Sequence, residues 1–238
     1  MNLPFFYTPE YNPLQEPFVL GEETSKHIIQ VLRMKKGEAL TLADGKGNLM
    51  SAEIIDDHKK RCGVRITGTQ FIPADPRRIT IAISLLKNSN RFEWFLEKVT
   101  EIGVQEIIPL ICERTEKQKF REERMQNILI SAMLQSKQPW LPVLHSPLVY
   151  EMIFSKEEIM HTSQKFVAHC MEDQKRKLAD LVNESLPSQI ILIGPEGDLT
   201  AQEVQLAVEN HFDGVSLGDT ILRTETAGIV AATILRLG

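Results

Sequence analysis

Residues 189–198 read QIILIGPEGD, and residues 217–227 read LGDTILRTETA. Both stretches contain a glycine-bearing loop that directly follows a predicted buried strand. In open α/β sheets ligands bind beyond the carboxyl ends of strands, and glycine lets the backbone approach a ligand closely. A single such glycine could simply serve a turn, but two loops on consecutive strands favour a binding site. Neither loop is a GxGxxG or P-loop motif, so the cleft they predict is of another kind.

The segments around these loops alternate between strand and helix patterns. Such alternation indicates a parallel α/β sheet. The predicted strands cover residues 78–86, 106–111, 165–170, 189–193 and 214–218, and the predicted helices cover 91–103, a stretch around 125–133, 173–184, a segment that opens with Thr200 and Glu203, and 227–237.

The first seventy residues show a different pattern, with short strands and one helix. Strands at 39–44 and 48–56 flank Gly45-Lys46-Gly47, a tight hairpin loop, and residues 63–72 form another strand rich in β-branched side chains. The helix is expected to begin at Thr24 or Ser25. We therefore predict a small β-barrel over residues 1–72 and a larger α/β domain over residues 73–238.

Composition excludes several classes of protein. The chain has 238 residues, 42% of them hydrophobic, which is ordinary for a globular protein. No run approaches the roughly 18 apolar residues of a membrane helix, and the first residues lack the features of a signal peptide. The three cysteines show no CxxC spacing, which argues against a zinc site and a disulfide framework. We expect a cytoplasmic protein without a bound metal.

The net charge of −5 is unevenly distributed. Residues 1–72 hold nine basic and nine acidic side chains, residues 73–140 eleven and nine, and residues 141–238 seven and fourteen. A polyanion is therefore expected to bind the first two thirds of the chain, although for each basic residue plain solvated surface is the alternative. The candidate phosphate-binding residues are Arg33, Lys35, Lys36, Lys46, Arg114, Lys117, Lys119 and Arg121. No series of aromatic residues accompanies these cations in the sequence, so stacking of RNA bases is not predicted.

The GPEG segment, together with LG-x-x-ILRTETA, resembles the signature of the RsmE family, the small-subunit ribosomal RNA uridine-N3 methyltransferases of the SPOUT superfamily. The similarity extends outward. Residues 25–48 resemble the N-terminal HxxxVLR and DGxG stretch of that family, and residues 97–115 resemble its helix–strand segment. The resemblance covers nearly the whole chain, and ILRTETA is its most specific part.

This resemblance implies a PUA-like barrel followed by a SPOUT domain with a deep trefoil knot. It implies S-adenosyl-L-methionine as cofactor, 16S ribosomal RNA in the small ribosomal subunit as substrate, and a homodimer formed through the C-terminal helix, which is apolar nearly all round. The residues expected around the cofactor are Ile193, Gly194, Glu196, Gly197, Leu217, Gly218, Ile221, Leu222, Thr226 and Ala227.

The chain also departs from the family pattern at a few positions. Asp198 stands where the family usually has glycine, and Asp219 stands where it often has proline. Within residues 132–138, Leu134 and Gln138 replace a glutamate and an arginine of the family. These departures concern the RNA-facing surface more than the cofactor loops.

Transfer to uridine N3 needs help in removing a proton, because N3 is protonated at neutral pH. Arg223 is the favoured candidate for stabilising the negative charge on the uracil ring, and Glu225 either positions Arg223 or receives the proton. A buried structural ion pair is the alternative for these two residues. Glu196 could act in catalysis, cap a helix or bind a backbone amide.

Two other functions remain open from the sequence. The protein could be a SPOUT ribose 2′-O-methyltransferase that acts on another RNA, or a non-catalytic RNA-binding or assembly protein that keeps the fold. The complete ILRTETA loop argues against the second alternative, because a pure binder has no need of a methyl donor.

Overall fold

The computed structural model describes residues 3–11, 17–116, 120–171 and 175–237. The chain divides into two compact units. The first unit contains Met1–Ala74 together with Met133–Leu141, and the second contains Asp75–Ala132 and Pro142–Gly238. The chain therefore leaves the first unit at Ala74 and returns to it for the short segment Met133–Leu141.

The first unit is built on a mixed five-stranded sheet. Its strand order is β1-β3-β4-β5-β2, in which β1 and β3 are parallel and the other pairs are antiparallel. Gly45 (φ 71°) and Gly47 (φ 97°) form the predicted turn between β3 and β4, because glycine adopts positive φ without a steric penalty. The strands are β1 (Phe5–Tyr7), β2 (Phe18–Val19), β3 (Ala39–Ala43), β4 (Asn48–Asp56) and β5 (Gly63–Phe71).

The helix of this unit, α1 (Glu22–Lys26), starts after Gly21 and continues into a π-helical turn at His27–Val31. The expected start at Thr24 or Ser25 is wrong. The buried Ser25 hydroxyl instead donates to the Leu20 carbonyl (3.1 Å) and accepts from the Cys62 amide (2.9 Å), so it joins the helix to the sheet. Neither bond is a helix cap, because a capping side chain accepts from an amide two or three residues further along the chain.

The second unit contains an eight-stranded, fully parallel sheet, as the alternating pattern predicts. The strand order is β11-β13-β10-β12-β6-β7-β8, and the short β9 also pairs with β7. The elements are β6 (Arg78–Ser84), α2 (Ser89–Ile102), β7 (Glu106–Ile111), α3 (Glu122–Ser136), β8 (Val143–Leu144), β9 (Leu148–Val149), α4 (Glu157–Met160), β10 (Gln164–Ala168), β11 (Arg176–Lys177), β12 (Ser188–Ile193), α5 (Ala201–Glu209), β13 (Asp213–Ser216) and α6 (Thr224–Leu237).

Helices cover both faces of this sheet. On one face α6 packs against α2 and β6; a Cβ at Gly228 would lie 2.5 Å from the Phe95 ring and 2.9 Å from Ile83. Glycine at this position therefore permits the close approach of α6. On the other face α5 packs in a core cluster with Tyr150 and Phe212. Among the described residues no helix has the length and hydropathy to cross a membrane.

Of the predicted helix at 173–184, residues 173 and 174 lie outside the described residues, and over 175–184 the prediction is wrong. Arg176–Lys177 forms strand β11, which pairs with β13, and Leu178–Asp180 forms one 3₁₀ turn. The segment is polar and has few apolar side chains for a helical face, whereas β11 satisfies its backbone by pairing and Leu178 is fully buried. In contrast, the predicted end of α2 at Gly103 (φ 90°) is confirmed, and so is the capping box of Thr200 and Glu203.

Glu106 links three strands at the amino-terminal edge of the parallel sheet. Its buried carboxylate accepts two hydrogen bonds from Arg78 (both 2.8 Å), one from Thr80 (2.8 Å) and one from His145 (2.6 Å). Burial alone would raise the pKa of Glu106, but the hydrogen bonds from His145, Arg78 and Thr80 outweigh it and lower the pKa to about 2. The folded state therefore favours the ionised carboxylate.

We expect Glu106→Gln to lower the free energy of unfolding at pH 7 by about 2–3 kcal/mol, because a carboxylate with a depressed pKa stabilises the folded state. This stabilisation is complete above about pH 4.5, the ordinary pKa of glutamate, and is lost as the pH falls towards 2. Urea unfolding between pH 3 and pH 7 should therefore show a steeper pH dependence for the wild type than for the variant.

Glu184→Gln is the matched control, since Glu184 is exposed. It should keep the wild-type pH profile. If the free energy of unfolding of the wild type and of Glu106→Gln changed equally with pH, Glu106 would not have the depressed pKa described above.

Candidate active site

The carboxyl ends of β10, β12 and β13 lie level at one edge of the parallel sheet, since Ala168 pairs with both Ile193 and Val215. The loops that follow these strands enclose a cavity of about 560 Å³. Its wall consists of Ala168, His169, Cys170, Lys175, Ile193, Gly194, Pro195, Glu196, Gly197, Asp198, Val215, Ser216, Leu217, Gly218, Asp219, Thr220, Ile221, Leu222, Arg223, Thr224 and Ala227.

The loop after β12 folds back tightly on itself. The Asp198 amide donates to the Pro195 carbonyl (3.0 Å). A Cβ at Gly194 would lie 2.8 Å from the Leu199 nitrogen, closer than real Cβ contacts occur. Gly194 is therefore required by the close approach of two backbone segments within the turn. This is the turn role that the sequence left as the alternative to a ligand contact.

Asp198 explains one departure from the family pattern. Its φ of 62° lies in the left-handed region, which glycine adopts freely and which aspartate tolerates better than most residues. Its Oδ2 accepts a hydrogen bond from the Cys170 amide (2.8 Å). The aspartate therefore joins the loop after β12 to the loop after β10.

Two side chains, Glu196 of the cavity wall and Arg114 outside it, tie this turn to neighbouring loops. Glu196 Oε1 accepts a hydrogen bond from the Lys87 amide in the loop after β6 (3.3 Å), and Arg114 Nη1 donates to the Gly197 carbonyl (2.6 Å). Of the roles considered for Glu196, the structure thus shows a contact with a backbone amide. Arg114 is exposed but contacts the cavity loop directly.

Glu203 fixes the start of α5 behind the same turn. Its Oε2 accepts from the Thr200 amide (2.8 Å), and its Oε1 accepts from the Glu113 amide (2.8 Å). Nearby, burial raises the pKa of the Cys112 thiol to about 12, with a further contribution from the Glu203 charge. A thiol that stays protonated is a packing group rather than a nucleophile.

The loop after β13 presents backbone and apolar side chains to the cavity. Gly218 has a φ of 147°, a conformation that side chains rarely adopt, and no atom lies within 4 Å of a Cβ built there. The Ser216 hydroxyl donates to the Gly218 carbonyl (2.8 Å) and fixes the turn. Ile221 is 86% exposed, which is unusual for a large apolar side chain and leaves it available to a ligand.

Arg223 and Glu225 do not form the expected pair. Arg223 is exposed on the cavity wall, whereas Glu225 is buried, is not part of the wall, and lies 3.6 Å from Nε of Arg91 on α2. Residues two apart at a helix start do not face each other, and α6 begins at Thr224. Arg91 is thus a partner that the sequence did not indicate.

Nine of the ten residues expected around a cofactor lie on the cavity wall, and Thr226 does not. The sequence missed His169, Cys170 and Lys175. Lys175 Nζ donates to the carbonyls of His169 (2.8 Å) and Met171. The signal was available, because 165–170 was predicted as a parallel strand, and its carboxyl end had to reach the same edge.

The predicted RNA-binding residues lie in both units. Arg33, Lys35, Lys36 and Lys46 are exposed in the first unit, and Arg114 and Arg121 are exposed in the second. Arg33 has a positive φ of 57° at the end of the helical segment. Lys117 and Lys119 lie outside the described residues.

Comparisons with known proteins agree with this arrangement. A family model described as an RNA methyltransferase domain matches residues 73–236, and one described as an RNA methyltransferase PUA domain matches residues 20–67. The ribosomal RNA small subunit methyltransferase E of Synechocystis sp. is 34% identical over 86% of this chain and 68% of its own length. That of Bacillus subtilis is 30% identical over 91% and 88%.

Two crystal structures extend the similarity to the fold. A probable rRNA-methyltransferase from Porphyromonas gingivalis is 35% identical, with a TM-score of 0.88 over 99% of both chains. The small subunit methyltransferase E from Neisseria gonorrhoeae, bound to S-adenosyl methionine, is 32% identical, with a TM-score of 0.88 over 99% and 98%. These matches confirm the expected PUA-like unit followed by an RNA methyltransferase domain. The chain belongs to the ribosomal RNA small subunit methyltransferase E family.

Proposed function

We propose that this protein transfers a methyl group from S-adenosylmethionine to N3 of a uridine in 16S ribosomal RNA. The observation that carries the proposal is the cavity at the carboxyl ends of β10, β12 and β13. Its two glycine-bearing loops are the segments that resemble the family signature. Membership of the family supplies the class of reaction and of substrate.

The residues of the cavity fit the methyl donor. A volume of about 560 Å³ lies within the range of small-molecule sites. Ile193, Leu217 and Leu222 provide apolar surface for an adenosine, and the loop backbones provide amides and carbonyls. The carboxylates of Glu196 and Asp198 suit a ligand with a sulfonium and an ammonium group.

Arg223 is the residue we assign to charge stabilisation. When bound, S-adenosylmethionine would supply an activated methyl group, with the neutral thioether as its leaving group. The uridine N3 proton must first pass to water, because N3 needs a free lone pair to accept this methyl. Negative charge develops on the uracil ring as this proton leaves. Arg223 is exposed on the wall and has no side-chain hydrogen bond or ion pair among the described residues, so its guanidinium can face that charge.

Glu225 holds the start of α6 rather than receiving the proton. Its carboxylate is 5% exposed and pairs with Arg91, and its Oε2 has no hydrogen-bond partner among the described residues. A buried group outside the cavity wall cannot exchange a proton with a substrate there. The Arg91 pair joins the first turns of α2 and α6, and the acidic side chain also suits a helix N-terminus.

We expect Arg223→Ala to lower the rate of methylation about 100-fold, as loss of one charge-stabilising donor does elsewhere, while the affinity for S-adenosylmethionine changes less than threefold. The substrate is 16S ribosomal RNA or small ribosomal subunits that lack the modification. Mass spectrometry of the nucleosides detects 3-methyluridine, and calorimetry measures cofactor binding.

Arg176→Ala is the matched control, because Arg176 is exposed in the same unit and does not line the cavity. A wild-type rate in Arg223→Ala would exclude Arg223 as the stabilising cation. A 2′-O-methylated nucleotide in place of 3-methyluridine would favour the ribose methyltransferase alternative.

We expect Gly194→Ala to weaken S-adenosylmethionine binding about tenfold or more, because its Cβ would collide with the Leu199 backbone and the turn would have to open. Gly218→Val tests the same site without a steric collision, since no atom lies within 4 Å of a Cβ there, but the φ of 147° strains any side chain. Its thermal unfolding must therefore match that of the wild type before a loss of affinity is assigned to the site. Calorimetric titration measures both affinities, and thermal unfolding checks the fold.

Gly68→Ala is the control, because a Cβ at Gly68 also meets no atom within 4 Å and lies in the other unit. It should bind as the wild type does. Unchanged affinity in Gly218→Val would place the cofactor elsewhere.

The remaining expectations concern the assembly and its location. The α6 helix leaves Ile229, Val230 and Ile234 half buried and Leu237 74% exposed, which suits contact with a second copy of the chain. We therefore propose a homodimer through α6. We also propose a cytoplasmic location, because a substrate in the small ribosomal subunit would be found there.

The exposed cations of the first unit are proposed to bind phosphates of the RNA. We expect simultaneous charge reversal of Arg33, Lys35 and Lys36 to weaken RNA binding and to reduce the slope of log affinity against log salt by about 2–3, because each lost phosphate contact removes released counterions. Filter binding over a salt series measures the slope. Affinity for S-adenosylmethionine should not change, since the cavity lies in the other unit.

Charge reversal of Lys59, Lys60 and Arg61 is the matched control, because these three exposed cations lie in the same unit and carry the same charge. An equal loss of RNA affinity in both triple variants would show an effect of net charge alone. The proposed phosphate contacts at Arg33, Lys35 and Lys36 would then be wrong.

A further inference from the structure

The first unit presents an exposed aromatic ring that the sequence pattern did not single out. Phe71 ends strand β5 and is 59% exposed. It contacts Trp140 edge to face, with ring centroids 6.2 Å apart and an interplanar angle of 76°. Trp140 belongs to the same unit through the segment Met133–Leu141. We call these two rings the aromatic platform.

Hydrogen bonds fix the platform to the β3–β4 turn. The Trp140 indole donates to the Ile72 carbonyl (2.9 Å), and the Ile72 amide donates to the Gly47 carbonyl (2.8 Å). A Cβ at Gly47 would lie 2.7 Å from both the Ile72 oxygen and Trp140 Cζ2, and 2.9 Å from Phe71 Cε2. Both rings thus pack tightly against Gly47, so their side chains are already ordered. Little side-chain conformational entropy is therefore lost when a ligand binds.

Lys46 places a positive charge at the same turn. Its backbone pairs with that of Trp140, and its side chain is exposed and forms no ion pair among the described residues. The neighbouring carboxylate of Asp44 is 6% exposed and is occupied by hydrogen bonds from the Lys46 amide (2.7 Å) and from Asn48 (2.5 and 3.1 Å). The ammonium is therefore available to a phosphate.

We propose that the aromatic platform stacks an unpaired base of the substrate RNA, with Lys46 contacting an adjacent phosphate. A flat apolar ring beside a cation is the chemistry that binds single-stranded nucleic acid. One exposed phenyl ring and one half-buried indole, bordered by glycine and lysine, offer too little contiguous apolar area for a stable protein interface. The inference rests on the proposed RNA substrate and adds base stacking to the phosphate contacts.

The test uses Trp140 as its own reporter. The chain has two tryptophans, so Trp94→Phe leaves Trp140 as the single fluorophore. In this background we titrate a single-stranded oligouridylate and isolated small ribosomal subunits, and we follow both tryptophan emission and the anisotropy of labelled RNA. Stacking on the platform should quench Trp140.

Substitutions at Phe71 separate an aromatic role from a merely apolar one. Phe71→Tyr should bind as the parent does, while Phe71→Leu and Phe71→Ala should bind about tenfold more weakly. The salt dependence of these variants should not change, whereas Lys46→Ala should reduce the log–log slope by about 0.7. Val19→Ala removes apolar surface from the same unit, since Val19 is 44% exposed, and should have no effect.

Equal RNA affinity of Phe71→Leu and the parent would overturn the proposed base stacking. RNA binding without any change in Trp140 emission would overturn it as well. In both cases the proposed methyltransferase function would stand. A parent protein that binds neither RNA probe would overturn the platform together with the proposed substrate. Thermal unfolding shows whether each variant keeps its fold.

Discussion

Strand β12 lies between β6 and β10 in a parallel ladder, and the loops of the candidate site depend on its register. Ile193 stands opposite Ile83 on one side and Ala168 on the other, so the loops begin at one level. A slip of one residue would move the 194–199 turn by about 3.3 Å. That shift would break the hydrogen bond of Asp198 with the Cys170 amide, which is 2.8 Å long, and would open the wall between two of the loops.

The sequence was sufficient for the sheet and for two loops of the site, because a parallel strand buried on both faces is a continuous apolar run and glycine marks the loop that follows it. For the third loop it offered only the predicted strand at residues 165–170, whose carboxyl end had to reach the same edge of the sheet. His169 and Cys170 lie at the end of a predicted strand without a glycine, and the next residues were predicted as a helix. A two-residue strand such as β11 is formed by its neighbour β13, and no local pattern encodes that pairing.

Partners of buried polar side chains were the least predictable feature. Glu225 and Arg223 are close in sequence, yet the start of α6 turns them apart, and the carboxylate pairs with Arg91 from α2. Likewise Glu203 makes the capping box that its spacing predicts, but its second oxygen binds the Glu113 amide. A buried carboxylate needs several donors, and local sequence supplies only some of them. The others come from whichever segment the fold brings near.

The first unit has no net charge over residues 1–72, so bulk electrostatics cannot bring RNA to it. Whatever affinity it has for RNA must come from local contacts, and the structure offers two kinds. The affinity of exposed cations for phosphate falls as the salt concentration rises. The stacking of a base on an aromatic ring depends little on salt. Phe71 and Trp140 meet only because Gly47 leaves them room. A unit that combines both contacts keeps part of its affinity at salt concentrations that weaken the cations alone.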